Sequence, residues 1–122
     1  MITYEEFAKI EIKVGKILSA EKIVDTDKLL KLSVDFGMVS IVDIANMTQT
    51  KSDVRQIISG ISLYFPDPQI LVGRKCMFVT NLEPRTIRGL ESNGMLFALS
   101  TADGKFSLLE PNPDIPEGTK AR

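Results

Sequence analysis

"IEIKVGKILSAE", residues 10–21, alternates apolar and polar side chains and then breaks step. Ile10, Ile12 and Val14 fall on one side of an extended strand, Glu11 and Lys13 on the other. That is the period of two expected of a half-buried strand. After Gly15 the next apolar residue is Ile17, not residue 16, so the phase slips by one at a glycine. Such a slip predicts a β-bulge, which bends a strand strongly. A long first strand bent in this way can serve two faces of a small barrel.

Thr3 followed three residues later by Glu6 has capping-box spacing and predicts a short helix in "TYEEFAKI" ahead of the strand. "KLLKLSVDFG" (28–37) gives the cleanest alternation, with Leu30, Leu32, Val34 and Phe36 inward and Lys31, Ser33 and Asp35 outward. Residues 38–53 begin apolar and become polar, and read as an extension of a hairpin. "VRQIISGI" (54–61) is a third strand. In "PDPQILVG" (66–73), Asp67 is an N-cap, Pro68 the first helical residue and Gly73 the residue just past the end, which punctuates a short helix. "KCMFVTNL" (75–82) and "MLFALS" (95–100) are the fourth and fifth strands. Asp103-Gly104 turns the chain into "KFSLLEP", and a proline-rich tail follows.

Three strands, a short helix, two strands and an appendix make an all-β chain. With its helix between strands three and four, the order is that of the OB-fold, a five-stranded Greek-key barrel, here with a short N-terminal helix and a C-terminal β extension. We take residues 1–122 as a single domain with its core at about 7–100 and the extension at 101–122. The length supports one core and no second. The binding loops of such a barrel join strands one and two, and strands four and five.

Composition narrows the function. The chain is 43% hydrophobic and 25% charged, with formal net charge −1. A slightly negative total weighs against a polyphosphate partner unless cations are gathered locally, because non-specific nucleic-acid affinity comes from neutralised phosphates. There is no histidine and one cysteine, Cys76. The usual general base is therefore missing, and zinc-type sites lack ligands. No Walker spacing occurs, and Asp25/Asp27 and Glu5/Glu6 read as solvated acids. We expect no enzyme activity, no cofactor and no small-molecule substrate. Neither a membrane span nor a basic signal region is present, and a cytoplasmic location is expected.

The fourth-to-fifth loop, "NLEPRTIRGLESNGM" (81–95), is the most informative segment. Asn81 can read a base edge or cap a strand end. Arg85 and Arg88 offer planar forks to phosphates or stacking surfaces to bases, or simply pair with Glu83 and Glu91. Ser92 adds a small donor. Residues 74–88 hold Arg74, Lys75, Arg85 and Arg88 against one acid, Glu83, so a basic face on an acidic body is feasible. Lys28, Lys31 and Arg55 are further cations near the first loop and on strands two and three. Met95 opens an apolar strand and suits the core better than a base contact. Tyr64 and Phe65 read as packing for the short helix. With few aromatics and no tryptophan, a general single-strand coater is disfavoured.

"KVGKILSAE", "DKLLKLSVDFG", "RQIISGI", "LVGRK", "NLEPRTIRGLESNGM" and "LLEPN" succeed one another as in the tRNA-binding OB-fold family, which the chain resembles from about Phe7 to Gly118. Its most specific motif runs from Asn81-Leu82 through Pro84, Gly89 and Ser92 to Gly94-Met95. The family includes C-terminal domains of methionyl-tRNA synthetase and free-standing tRNA-binding proteins. The resemblance implies a homodimer that binds structured tRNA with little sequence preference and assists an aminoacyl-tRNA synthetase, in the first place a methionyl one. It implies RNA contacts at Lys28, Lys31, Arg55, Asn81, Arg85, Arg88, Ser92 and Met95. The chain departs from the pattern at "IVDT" (23–26), where relatives often carry His-Pro, leaving Asp25 and Asp27 beside Lys28. Segment 38–53 is longer than usual. A chaperone-like homodimer of the CsaA type is the alternative.

Overall fold

The first strand carries apolar residues on both faces, and this organises the molecule. The structure, a computed structural model, describes all 122 residues. Strand β1 is Ile12–Lys22, β2 Leu30–Val42, β3 Thr48–Ser59, β4 Lys75–Val79 and β7 Met95–Leu96. They form one antiparallel sheet in the order β3-β2-β1-β4-β7, curled into a half-barrel. The first part of β1 pairs with β4, from Ile12 opposite Val79 to Lys16 opposite Lys75. The rest pairs with β2. One bent strand thus serves both halves, as expected.

The bend lies elsewhere than the glycine. The register shifts between Ile17 and Ser19, with Leu18 as the extra residue. Gly15 sits on the same face as Ile17 and points into the barrel. A Cβ there would lie 2.5 Å from Val34, 2.7 Å from Phe36 and 2.8 Å from Phe78. Ile10, Ile12 and Val14 belong to the other face. Val14 is buried there, between β4 and the C-terminal segment: Gly118 N–H donates to Val14 O (2.8 Å) and Val14 N–H to Thr119 O (2.9 Å). What reads in the sequence as a phase slip is a strand covered on both sides.

The core forms around Ile17, Leu30, Leu32, Val34, Phe36, Ile57, Leu71, Cys76 and Phe78, with Phe36 and Phe78 packed edge to face at 5.2 Å. The inward set expected of β2 is all there. Beyond it the β2–β3 hairpin runs out as a ribbon, paired from Met38 opposite Ser52 to Val42 opposite Thr48. A bulge at Phe36–Gly37 separates ribbon from barrel. Gly37 (φ +86°) and Gly118 (φ +89°) allow the tail to cross that bulge: a Cβ at Gly118 would collide with the carbonyl oxygen of Phe36.

The expected helix between β3 and β4 is a 3-10 turn, Pro68–Leu71, capped as foreseen by Asp67, whose carboxylate accepts from Gln69 N–H (3.1 Å). It stays short because Gly73 N–H must reach Ile17 O (2.7 Å), which returns the chain to the barrel within one turn. A second 3-10 turn, Ser62–Tyr64, precedes it. The N-terminal helix α1, Tyr4–Ala8, has the predicted Thr3/Glu6 capping box and buries no residue. The stretch read as one fifth strand divides. Met95 and Leu96 pair with β4, whereas β8 (Ala98–Ser100) leaves to form the extension hairpin with β9 (Phe106–Leu108).

Candidate nucleic-acid interface

The motif loop is an ordered hairpin. Strand β5, Arg85–Ile87, pairs with β6, Leu90–Ser92, around a two-residue turn at Arg88-Gly89. Both turn residues have positive φ, +52° and +78°, as a type I′ hairpin turn demands. Gly89 meets this demand without strain, and Arg88 is held out at the tip. Three contacts lay the hairpin against β3. Ile58 N–H donates to Ser92 Oγ (3.0 Å), Asn93 N–H to Gln56 O (2.9 Å) and Gln56 Nε2 to Glu91 O (3.0 Å). These contacts also close the barrel, since β3 and β7 share no ladder.

Asn81, Ser92 and Arg55 therefore work inside the protein. Asn81 Oδ1 accepts from Glu11 N–H (2.8 Å) while its Nδ2 donates to Lys9 O (2.6 Å), tying the loop's first residue to the segment after α1. Ser92 is buried and also donates to Gly94 O (3.2 Å). Arg55 lies on the inner face of β3, because it pairs with Val34. Its guanidinium grips Asp53 through Nε and Nη2, each at 3.0 Å. Through Nη1 it donates to the carbonyls of Thr80 and Asn93, and it stands 5.3 Å over the Phe36 ring. It plugs the seam between β3 and the segments that flank β7.

Lys28, Lys31, Arg85 and Arg88 reach solvent. Lys13, Lys31, Arg55, Arg74, Lys75 and Lys105 each have a carboxylate partner; Lys28, Arg85 and Arg88 have none. Neither Glu83 nor Glu91 neutralises the loop arginines, and neither Asp25 nor Asp27 pairs with Lys28. Lys31 pairs with Glu21 at 3.7 Å in an exposed cross-strand contact, a bond worth about 0–1 kcal/mol that a phosphate can displace. Lys31 stands opposite Ile58 on the outer face of β2–β3, and Ile58 lines a small crevice with Leu82, Arg85, Ile87 and Met95. Met95 is 45% exposed there, not in the core. Lys22, which no sequence motif singles out, ends β1 where the first loop begins and is likewise exposed and unpaired.

Lys28 has its carbonyl fixed by Ser62 N–H (3.0 Å), which joins the first loop to the turn after β3. The outer face of β2–β3 is thus flanked by Lys28 at one end and by the arginine hairpin along the edge. This is the face and loop pair with which OB barrels take oligonucleotides. Burial pushes the Cys76 thiol up to about 12, with Glu110 adding to the effect, so no thiolate nucleophile exists at neutral pH. No helix is long and apolar enough to cross a membrane.

Comparison with known proteins agrees with this geometry. Residues 12–120 match the family model described as "Putative tRNA binding domain". A methionine–tRNA ligase of Methanospirillum hungatei is 46% identical over 121 residues, 99% of this chain and 16% of that protein. The chain thus spans about a sixth of the length of the curated relatives it matches. A MetRS-related protein from Pyrococcus horikoshii superposes with TM-score 0.82 at 38% identity, covering 100% of this chain and 98% of that one. A CsaA chaperone protein from Picrophilus torridus superposes with TM-score 0.77 at 28% identity over all of both chains. A whole-length structural match and a family model spanning nearly every residue lead to one conclusion: the chain belongs to the tRNA-binding domain family, on an OB-like barrel.

Proposed function

We propose that the chain is a non-catalytic module that grips structured tRNA through backbone phosphates and assists an aminoacyl-tRNA synthetase, the methionyl enzyme first. The observation that carries this is that Lys28, Arg85 and Arg88, all exposed and without a carboxylate partner, sit on the two loops that flank the outer β2–β3 face. Free cations on one rim suit recognition of folded RNA, which proceeds by shape and backbone more than by sequence. Lys31 and Met95 complete the contact surface, while Asn81, Ser92 and Arg55 hold the hairpin that presents the arginines. Linked to a synthetase, even a weak site of this kind raises overall affinity through effective concentration. The setting is cytoplasmic and the working form a homodimer.

The test is titration of bulk tRNA at several salt concentrations. Replacing Arg85 and Arg88 together by Ala should weaken binding and flatten the log–log salt slope by about 0.7–0.9 for each phosphate that is no longer neutralised. An unchanged slope and affinity would make the hairpin purely structural. Light scattering on the same samples reads the assembly, and a monomer mass would remove the dimer.

A chaperone-like role is the second reading. The likeness to the Picrophilus torridus CsaA protein favours it, as does an open apolar cleft of about 500 Å³ lined by Tyr4, Phe7, Ile10 and Ile12. Salt-insensitive binding of an unfolded apolar peptide, without tRNA binding, would decide for it.

A further inference from the structure

Tyr64 ends an aromatic stack that the fold does not finish. Phe65, in the core, meets Phe106 edge on at 5.7 Å. Phe106 then lies face to face with Tyr64, centroids 4.0 Å apart and planes 12° from parallel. Tyr64 itself is 44% exposed. Phe106 covers one ring face, and no other aromatic ring or cation stacks on the second. A cleft of about 340 Å³ opens beside the stack, with the Arg74–Glu110 ion pair on its wall.

The position matters as much as the stack. Ser62 N–H donates to Lys28 O, and Tyr64 N–H to Ile61 O, both at 3.0 Å, so the turn bearing Tyr64 is seated on the loop bearing the unpaired Lys28. A cation for a phosphate and a flat ring for a base are therefore carried by two chain segments joined through their backbones. In folded RNA, unpaired bases of loops, bulges and ends stack on aromatic rings, and such stacking is tolerant of sequence because every base has a π-face. We propose that the face of Tyr64 away from Phe106 stacks an unpaired base of the bound RNA, next to a phosphate held by Lys28. This rests on the tRNA-binding reading above and adds to it a contact that is aromatic, not ionic.

The chain contains no tryptophan, so Tyr64→Trp introduces a single indole fluorophore at the site. Binding is followed in parallel by the anisotropy of labelled tRNA. The expected result is quenching of the introduced indole's fluorescence that tracks binding. Tyr64→Ala should weaken affinity by about tenfold with an unchanged salt slope, and Tyr64→Phe should retain it. Binding by the Tyr64→Trp variant without quenching, together with full affinity in Tyr64→Ala, overturns the stacking site and leaves the cationic rim intact. Quenching by an unfolded apolar peptide but not by tRNA makes the ring a protein contact and overturns it equally. A wild-type protein that binds no tRNA removes the underlying reading, and the proposal with it.

Discussion

Gly15 shows how much one hydrogen atom can decide. Its Cα faces three core side chains that would all lie within 2.8 Å of an added methyl carbon. Two of them, Phe36 and Phe78, are locked edge to face against each other. Gly15→Ala must therefore push rings apart in a packed core, where overpacking costs typically about 1–3 kcal/mol. A lower midpoint in urea with an unchanged slope is the expected outcome, and wild-type stability would show that the rings yield freely. In the sequence this glycine looks like a bulge, whereas its cause is the crowding of the barrel interior. Period-two patterns reveal which residues share a face; they do not reveal that both faces are covered. For the same reason the sides of Lys31 and Leu32 can be read from their neighbours alone, whereas the roles of Asn81 and Ser92 cannot. Their partners, Lys9, Glu11 and Ile58, stand 34–72 residues away in the chain.

Among the secondary-structure elements, the barrel is closed by side chains and one backbone bond in place of a ladder. The edge between β3 and β7 is bridged by Ser92, Gln56 and above all Arg55, which reaches Asp53 on its own strand and the carbonyls of Thr80 and Asn93 across the gap. Nothing in "VRQIISGI" distinguishes such a plug from a surface cation, since the inward direction of residue 55 depends on pairing with Val34. Arg55→Ala leaves two carbonyls and one carboxylate without their donor. Hydrogen bonds to charged groups contribute about 1.5–3 kcal/mol each, partly offset here by solvent reaching a half-buried site, so a loss of about 2 kcal/mol is expected. Arg85→Ala and Arg88→Ala, by contrast, should leave thermal stability unchanged. The pair of measurements separates the two kinds of arginine: a stable Arg55→Ala variant with weakened tRNA binding would return Arg55 to the interface. The hairpin itself is legible in the sequence as a loop of the right chemistry. Its strands are not, because three-residue strands carry too little alternation to register.

For the whole molecule, the acids that are held below the ordinary carboxylate range both clamp the chain ends to the barrel. Glu11 accepts from Thr80 Oγ1 (2.6 Å), which lowers its pKa; Lys13 and Lys120 add to this and burial opposes it. Glu117 is lowered by its own backbone N–H and by Lys75 and Lys16, again against burial. Glu11 binds the segment after α1 to the residue that follows β4, and Glu117 lies where the tail crosses the β2 bulge. A carboxylate with a depressed folded pKa contributes stability that is complete above its unfolded value, about 4.5, and that disappears as pH falls through the folded value. Thermal stability should therefore be flat from neutral pH down to about 5 and drop below that, because protonation releases both clamps. In Glu11→Gln/Glu117→Gln the drop should shrink, and the variant should start from a lower plateau at pH 7. An acid drop of undiminished size in the double variant would place the pH-sensitive groups elsewhere. The cations of the proposed RNA rim belong to neither clamp, so a plateau loss without any change in tRNA affinity per folded molecule would show that the ends serve the fold and the rim serves the ligand.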